Sequence, residues 1–152
     1  MENNLHIEAN VKQAVPFFMV SNIEISLSFY VNRLGFELKN KWEPRGKIEW
    51  CWLQRDSVSI MLQEPRNKKK TEQEQDVPNG KGVSICFQCK DALALYHEFS
   101  AKGITMKEPF VGNNMWVINF SDPDGYKLDF ESPTDVAEET KYSEWVQSSK
   151  TK

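Results

Sequence analysis

Asp129 and Glu131 stand two apart in Tyr126-Lys127-Leu128-Asp129-Phe130-Glu131, where apolar and charged residues alternate. A period of two belongs to a strand with one face buried, so both acids leave the same face, about 6–7 Å apart. Two carboxylates so placed attract a cation, metallic or organic. Other residues with chemical potential are poorly placed. Cys86-Phe87-Gln88-Cys89 has thiol-redox spacing, but strand residues three apart face opposite ways at about 10 Å, too far for a disulfide. Cys51 is the only other cysteine, one short of a four-thiolate zinc site. His6 lies in the polar N-terminus and His97 in a helical stretch, neither beside a serine or cysteine it would activate. No glycine-rich loop suited to phosphate is present.

A turn and a repeat position the acids. Asp122-Pro123-Asp124-Gly125 turns tightly because Asp hydrogen-bonds forward, Pro presets φ and Gly takes the strained last place. Pro133 ends the strand behind it. Residues 56–65 recur as 124–133, 68 positions later; at the same shift Leu34-Gly35-Phe36 matches Lys102-Gly103-Ile104, and Trp42 matches Phe110. Two copies of one unit predict two similar sheets. Each copy reads βαβββ: strand 14–20, helix 22–35 and strands 36–42, 48–53 and 58–62, then strand 83–89, helix 91–102 and strands 105–111, 115–120 and 126–132. Asn22 is the expected N-cap of the first helix, and Gly35 and Gly103 close the two helices. The expected layout is a polar tail at 1–13 and one domain at 14–133, in modules 14–65 and 83–133 joined by an aperiodic loop at 66–82. The tail at 134–152 admits a helix over 135–148, with Tyr142 and Trp145 three apart.

At 152 residues the chain is long enough for one well-buried domain. A net charge of −3 without a basic stripe in either half argues against nucleic acid as a partner. No run approaches the ~18 apolar residues of a membrane span, and the polar start has no signal-type apolar segment. Three cysteines, an odd number, point to a reducing cytoplasm.

Together, the two βαβββ units, the Ser28-Phe29-Tyr30 helix ending in Leu34-Gly35-Phe36, and Asp122-Pro123-Asp124-Gly125-Tyr126-Lys127-Leu128-Asp129 resemble the vicinal oxygen chelate superfamily. That superfamily contains glyoxalase I, extradiol dioxygenases, fosfomycin-resistance enzymes and bleomycin-resistance proteins. The resemblance covers residues 14–133. It implies an α+β fold of two tandem βαβββ modules forming an open cup-shaped mixed β-sheet with helices packed outside, the cup lying within one chain or across a dimer. Metal-dependent members place one ligand on the first strand and one on the last strand of each module. Those positions here are Val15, Met61, Ser84 and Asp129. Imidazole or carboxylate would be expected there for a divalent metal, so no metal site is expected, Asp129 being the one candidate ligand.

Alternation then assigns the cup lining. Val15, Phe17 and Met19 face inward from the first strand and Ser59, Met61 and Gln63 from the fourth. Ser84, Cys86, Gln88, Asp129 and Glu131 come from the second half. Glu49, Cys51 and Asn119 are further candidates on the third strands, where Trp50 and Trp52 compete for either face. An apolar, aromatic and acidic lining suits a cationic or amphipathic organic ligand. The expected function is therefore small-molecule binding by sequestration, similar to the bleomycin-resistance branch, with no cofactor and as a homodimer. The alternative is a metal-dependent lyase, isomerase or dioxygenase of the glyoxalase type, its divalent ion held by Asp129, Glu131, Glu49 or His6. A third option is a module whose cup is filled by its own side chains.

Overall fold

The computed structural model of the chain describes residues 8–67 and 79–151. His6, most of the expected polar tail and most of the expected joining loop lie outside these residues. The first module is β1 (Phe17–Met19), α1 (Ile23–Leu27) continuing into a π-helical turn (Ser28–Arg33), β2 (Glu37–Trp42), β3 (Trp50–Arg55) and β4 (Val58–Gln63). The second is β5 (Ser84–Gln88), α2 (Ala92–Ala101), β6 (Phe110–Gly112), β7 (Met115–Ser121) and β8 (Lys127–Pro133), followed by α3 (Tyr142–Lys150). The strands form two four-stranded mixed sheets, β1-β4-β3-β2 and β5-β8-β7-β6, and no closed barrel. In each sheet the first strand runs parallel to the last, and the other pairs are antiparallel. This is the α+β arrangement of tandem βαβββ modules that the repeat predicts.

Local chemistry explains the helix limits. The Asn22 side chain accepts from the N–H groups of Glu24 and Ile25 at 3.0 and 3.1 Å, and Asp91 accepts from Ala94 at 2.9 Å; both are N-caps. Gly35 (φ +74°) and Gly103 (φ +84°) follow the helices in the left-handed conformation that glycine adopts without penalty. Between Phe29 and Leu34 the first helix widens, with Leu34 N–H donating to the carbonyl five residues back at 3.1 Å. The strand expected at 105–111 shrinks to three residues, because Pro109 supplies no N–H to a ladder. The outer edge of β6 pairs with the C-terminal segment instead: Val111 donates to Thr140 and Glu139 donates to Val111, each at 2.9 Å. The terminal helix then docks through Trp145, 5.6 Å from Trp116 between ring centroids, and through Tyr142, whose hydroxyl lies 3.1 Å from His97 Nε2.

One apolar cluster joins the modules. It takes Phe18, Tyr30, Phe36, Ile60 and Leu62 from the first half and Phe87, Phe99, Leu128 and Phe130 from the second. Across the boundary, Phe36 meets Phe87 at 6.3 Å, Phe29 meets Phe120 at 6.2 Å, and Tyr126 stacks on Phe18 at 4.3 Å. Arg55 bridges the halves by donating to the Leu34 carbonyl at 2.6 Å and to Glu98 at 2.7 Å. Most of the helix-bearing sides of both sheets is thus taken into this core, with Ala92, Val111 and Trp116 in a second cluster under the terminal helix, and the other, open faces carry the exposed residues. Among the described residues no helix is long and apolar enough to cross a membrane.

Candidate ligand-binding faces

Strand register sorts the open face of the first sheet into rows. Phe17, Met61, Trp52 and Asn40 lie side by side across β1, β4, β3 and β2, and the next row is Met19, Gln63, Trp50 and Trp42. Ser59 opens the row below, opposite Gln54. Phe17, Met19 and Trp42 are 45%, 40% and 47% exposed, so this is an aromatic wall open to solvent. Trp50 and Trp52 are half-buried within it. Val15 lies just ahead of β1, half-buried.

The third strand corrects one expectation. Cys51 is 0% exposed, and it packs with Leu53 in the core rather than lining a cup. Register explains why: Cys51 and Leu53 sit opposite Leu62 and Ile60, which the helix side buries, leaving the two bulkier indoles for the open face. Burial pushes the Cys51 thiol up to about 11. Glu49 precedes β3, and its carboxylate is clasped by Arg45 and Arg66. Burial pushes this carboxyl up, but hydrogen bonds from Arg66 and Arg45 outweigh it and hold it below the ordinary range. It is committed to a local ion-pair network rather than presented to a ligand.

On the second sheet the rows are Ser84, Lys127 and Ser121; then Cys86, Asp129 and Asn119; then Gln88, Glu131, Val117 and Phe110. Asn119 therefore shares a row with Asp129, and the two acids share a face. Gln88 Nε2 donates to Glu131 at 3.1 Å and lies 3.2 Å from Cys86 Sγ. Burial, then the hydrogen bond to Glu131, pushes the Cys86 thiol up to about 11, so it is mostly protonated at neutral pH. Two depressions mark this face. One of about 400 Å³ holds Ser84, Asn119 and Asp129 together with Lys107 and Lys127. The other, about 740 Å³, shares Lys107 and Asn119 and extends to Phe110, Glu108 and Lys141. The lysines were not among the expected lining. Lys127 has the same strand parity as the acids and was readable from it; Lys107 and Lys141 arrive from a loop and from the C-terminal segment. The face is mixed in charge rather than acidic.

The sequence profile of the Glyoxalase/Bleomycin resistance protein/Dioxygenase superfamily matches residues 6–130. The chain belongs to this superfamily. Solved structures of superfamily proteins share its fold. The bleomycin-binding protein in complex with bleomycin is 20% identical, with 80% of this chain and 98% of that chain covered and a TM-score of 0.62. TnmS3, an antibiotic binding protein from Streptomyces sp. CB03234, is 21% identical over 81% and 98%, with a TM-score of 0.61. A superfamily member from Sphaerobacter thermophilus DSM 20745 is 24% identical over 80% and 98%, with a TM-score of 0.60. No curated protein matches the sequence.

The donor set for a superfamily metal does not fit one. Val15 cannot coordinate, Met61 offers a thioether, Ser84 a hydroxyl and only Asp129 a carboxylate. A thioether prefers soft Cu(I), and a hydroxyl binds weakly at neutral pH. Among the described residues no three His, Cys, Asp or Glu side chains are grouped to hold an ion.

Proposed function

We propose that the chain is a small-molecule-binding member of the superfamily that sequesters an amphipathic, cation-bearing organic compound without a metal and without bond chemistry. The observation that carries this reading is the indole wall: Trp42, Trp50 and Trp52 stand in adjacent rows with Phe17 and Met61 on a face turned away from the core. Such rings take flat apolar groups and cations against their faces. Asp129 and Glu131, on the open face of the other sheet, supply the counter-charge. The opposite sides of the two sheets share the core contacts, which supports a reading in which a cleft lined by both open faces is assembled from two copies. In a twofold homodimer the first sheet of one protomer meets the second sheet of its partner, twice. The bleomycin-bound neighbour and the antibiotic-binding neighbour support this ligand class.

Titration with bleomycin, followed by tryptophan fluorescence and by light scattering, tests the reading. A saturable fluorescence change on a dimer is expected. A monomer across the micromolar range removes the shared cleft. Glyoxalase turnover on addition of Ni or Zn would replace sequestration with the metal-dependent alternative.

A further inference from the structure

The row Gln88, Glu131, Val117 and Phe110 on the second sheet has a fifth member. Lys141 pairs with Phe110 in an antiparallel bridge, so the C-terminal segment extends the row by one position. Three strand spacings, about 14 Å, separate the Glu131 and Lys141 positions. Lys141 is held in place by its neighbours, Thr140 accepting the Val111 N–H and Tyr142 donating to the Pro109 carbonyl, each at 2.9 Å. The superfamily profile ends at residue 130, so this segment is an addition to the part it matches. Lys141 and Lys107 both line the depression of about 740 Å³, a volume within the range of small-molecule sites. Neither ammonium is ion-paired among the described residues. The one acid of the lining, Glu108, is engaged elsewhere: it accepts the Ser143 N–H at 2.9 Å and so caps the first turn of α3. Hydrogen bonds from Ser143 hold its carboxyl below the ordinary range, and the Lys141 charge adds to this. Two ammonium groups thus stand against one occupied carboxylate, beside the apolar surface of Met106 and of Phe110, which is 39% exposed.

We propose that the C-terminal segment turns this depression into a subsite for an anionic group, so that the compound taken on the open faces is amphoteric. Its cation lies at Asp129 and Glu131, its anion at Lys107 and Lys141, and an apolar body spans the distance over Phe110. Ammonium groups are compact point charges, so the subsite selects for negative charge rather than for one oxyanion shape. A purely cationic compound of the same length would set its far end against two lysines. The cation half rests on the sequestration reading above; the anion half stands on the lysines and the depression alone.

The test is an amide chemical-shift titration of the full chain with 2-naphthalenesulfonate, with 2-naphthalenemethanol as the uncharged counterpart and bleomycin in parallel. Saturable shifts centred on the amides of Lys107, Glu108, Phe110, Asn119 and Lys141 are expected with the sulfonate, which should bind more tightly than the alcohol and lose that advantage in high salt. Lys107→Gln and Lys141→Gln should each weaken the sulfonate about threefold, the scale of one exposed ion pair. Lys141→Arg keeps the charge and should bind as the parent does, which a role in packing the segment would not require of it. A sulfonate that binds no better than the alcohol, shifts centred elsewhere, or binding unchanged in both glutamine variants would overturn the subsite. Bleomycin bound beside an indifferent sulfonate removes the subsite and leaves sequestration of a cation. The sulfonate bound as expected without any binding of bleomycin supports the subsite and removes the cation half.

Discussion

The Tyr30 hydroxyl donates a 2.8 Å hydrogen bond to the carboxylate of Asp122, 92 residues further along, and both residues are buried. Asp122 also accepts the N–H groups of Asp124 and Tyr126 at 2.9 Å each, so one carboxylate shapes the last turn and ties it to the first helix. Tyr30→Phe deletes one of these bonds and leaves a buried acceptor short of a partner. A loss of about 1–3 kcal/mol is expected, read as a lower urea midpoint with an unchanged slope.

The same pair sets an alkaline limit. Burial, then the charge of Asp122 and the hydrogen bond to it, drives the Tyr30 phenol well above its ordinary value. A folded value above the unfolded one means that this contribution is fully present below the unfolded pKa of about 10 and is lost as pH rises past it. Stability should fall by about 1.4 kcal/mol per pH unit beyond that point from this one group. Denaturation midpoints between pH 8 and 11.5 check it; the Tyr30→Phe protein should show a shallower decline, and an identical decline would remove Tyr30 as the cause.

Protein purified without chelator should hold well under one equivalent of Zn, Ni, Fe or Mn, and added metal should leave its melting temperature unchanged. One carboxylate with waters falls far short of the ~10 kcal/mol of a structural zinc site. Elemental analysis with a thermal shift series decides. One tightly held equivalent lost on Asp129→Asn would reverse the conclusion drawn from the donor set.

On the open faces, Asp129→Asn should weaken a cationic probe such as bleomycin about tenfold, the scale of one charge-assisted hydrogen bond. Its melting temperature should stay near that of the parent. Trp52→Ala should cost a comparable factor through lost ring contact. If Asp129→Asn unfolds the chain and affinity is otherwise unchanged, the residue serves the fold.

Much of the fold is legible because its signals are local. Asn22 and Asp91 cap helices, Gly35 and Gly103 end them, and a shift of 68 or 69 residues relates the two halves, so the βαβββ order can be read without coordinates. The phase of β3 cannot be read this way. Both parities are apolar there, Trp50 and Trp52 against Cys51 and Leu53, and alternation has no preference between them. The choice comes from pairing with Ile60 and Leu62 on β4, a non-local fact. The mixed charge beside Asp129 was half legible. Lys127 follows from the strand's own period, whereas Lys107 and Lys141 reach the face only after chain segments fold along the edge of the second sheet.

The contacts that seal the module boundary also fix an order in time. Phe18 is covered by Tyr126, whose hydroxyl reaches Met19 across 107 residues of chain, and Tyr30 waits for Asp122. During synthesis the first module therefore leaves the ribosome complete in its strands but with Phe36 lacking Phe87, and Phe18 and Tyr30 lacking Tyr126 and Asp122, until those residues follow. A chain halted after β4 would leave exposed the apolar side that the second module covers, the kind of surface that invites aggregation. Closure of the boundary has to wait for the last turn, which supplies Asp122 and Tyr126.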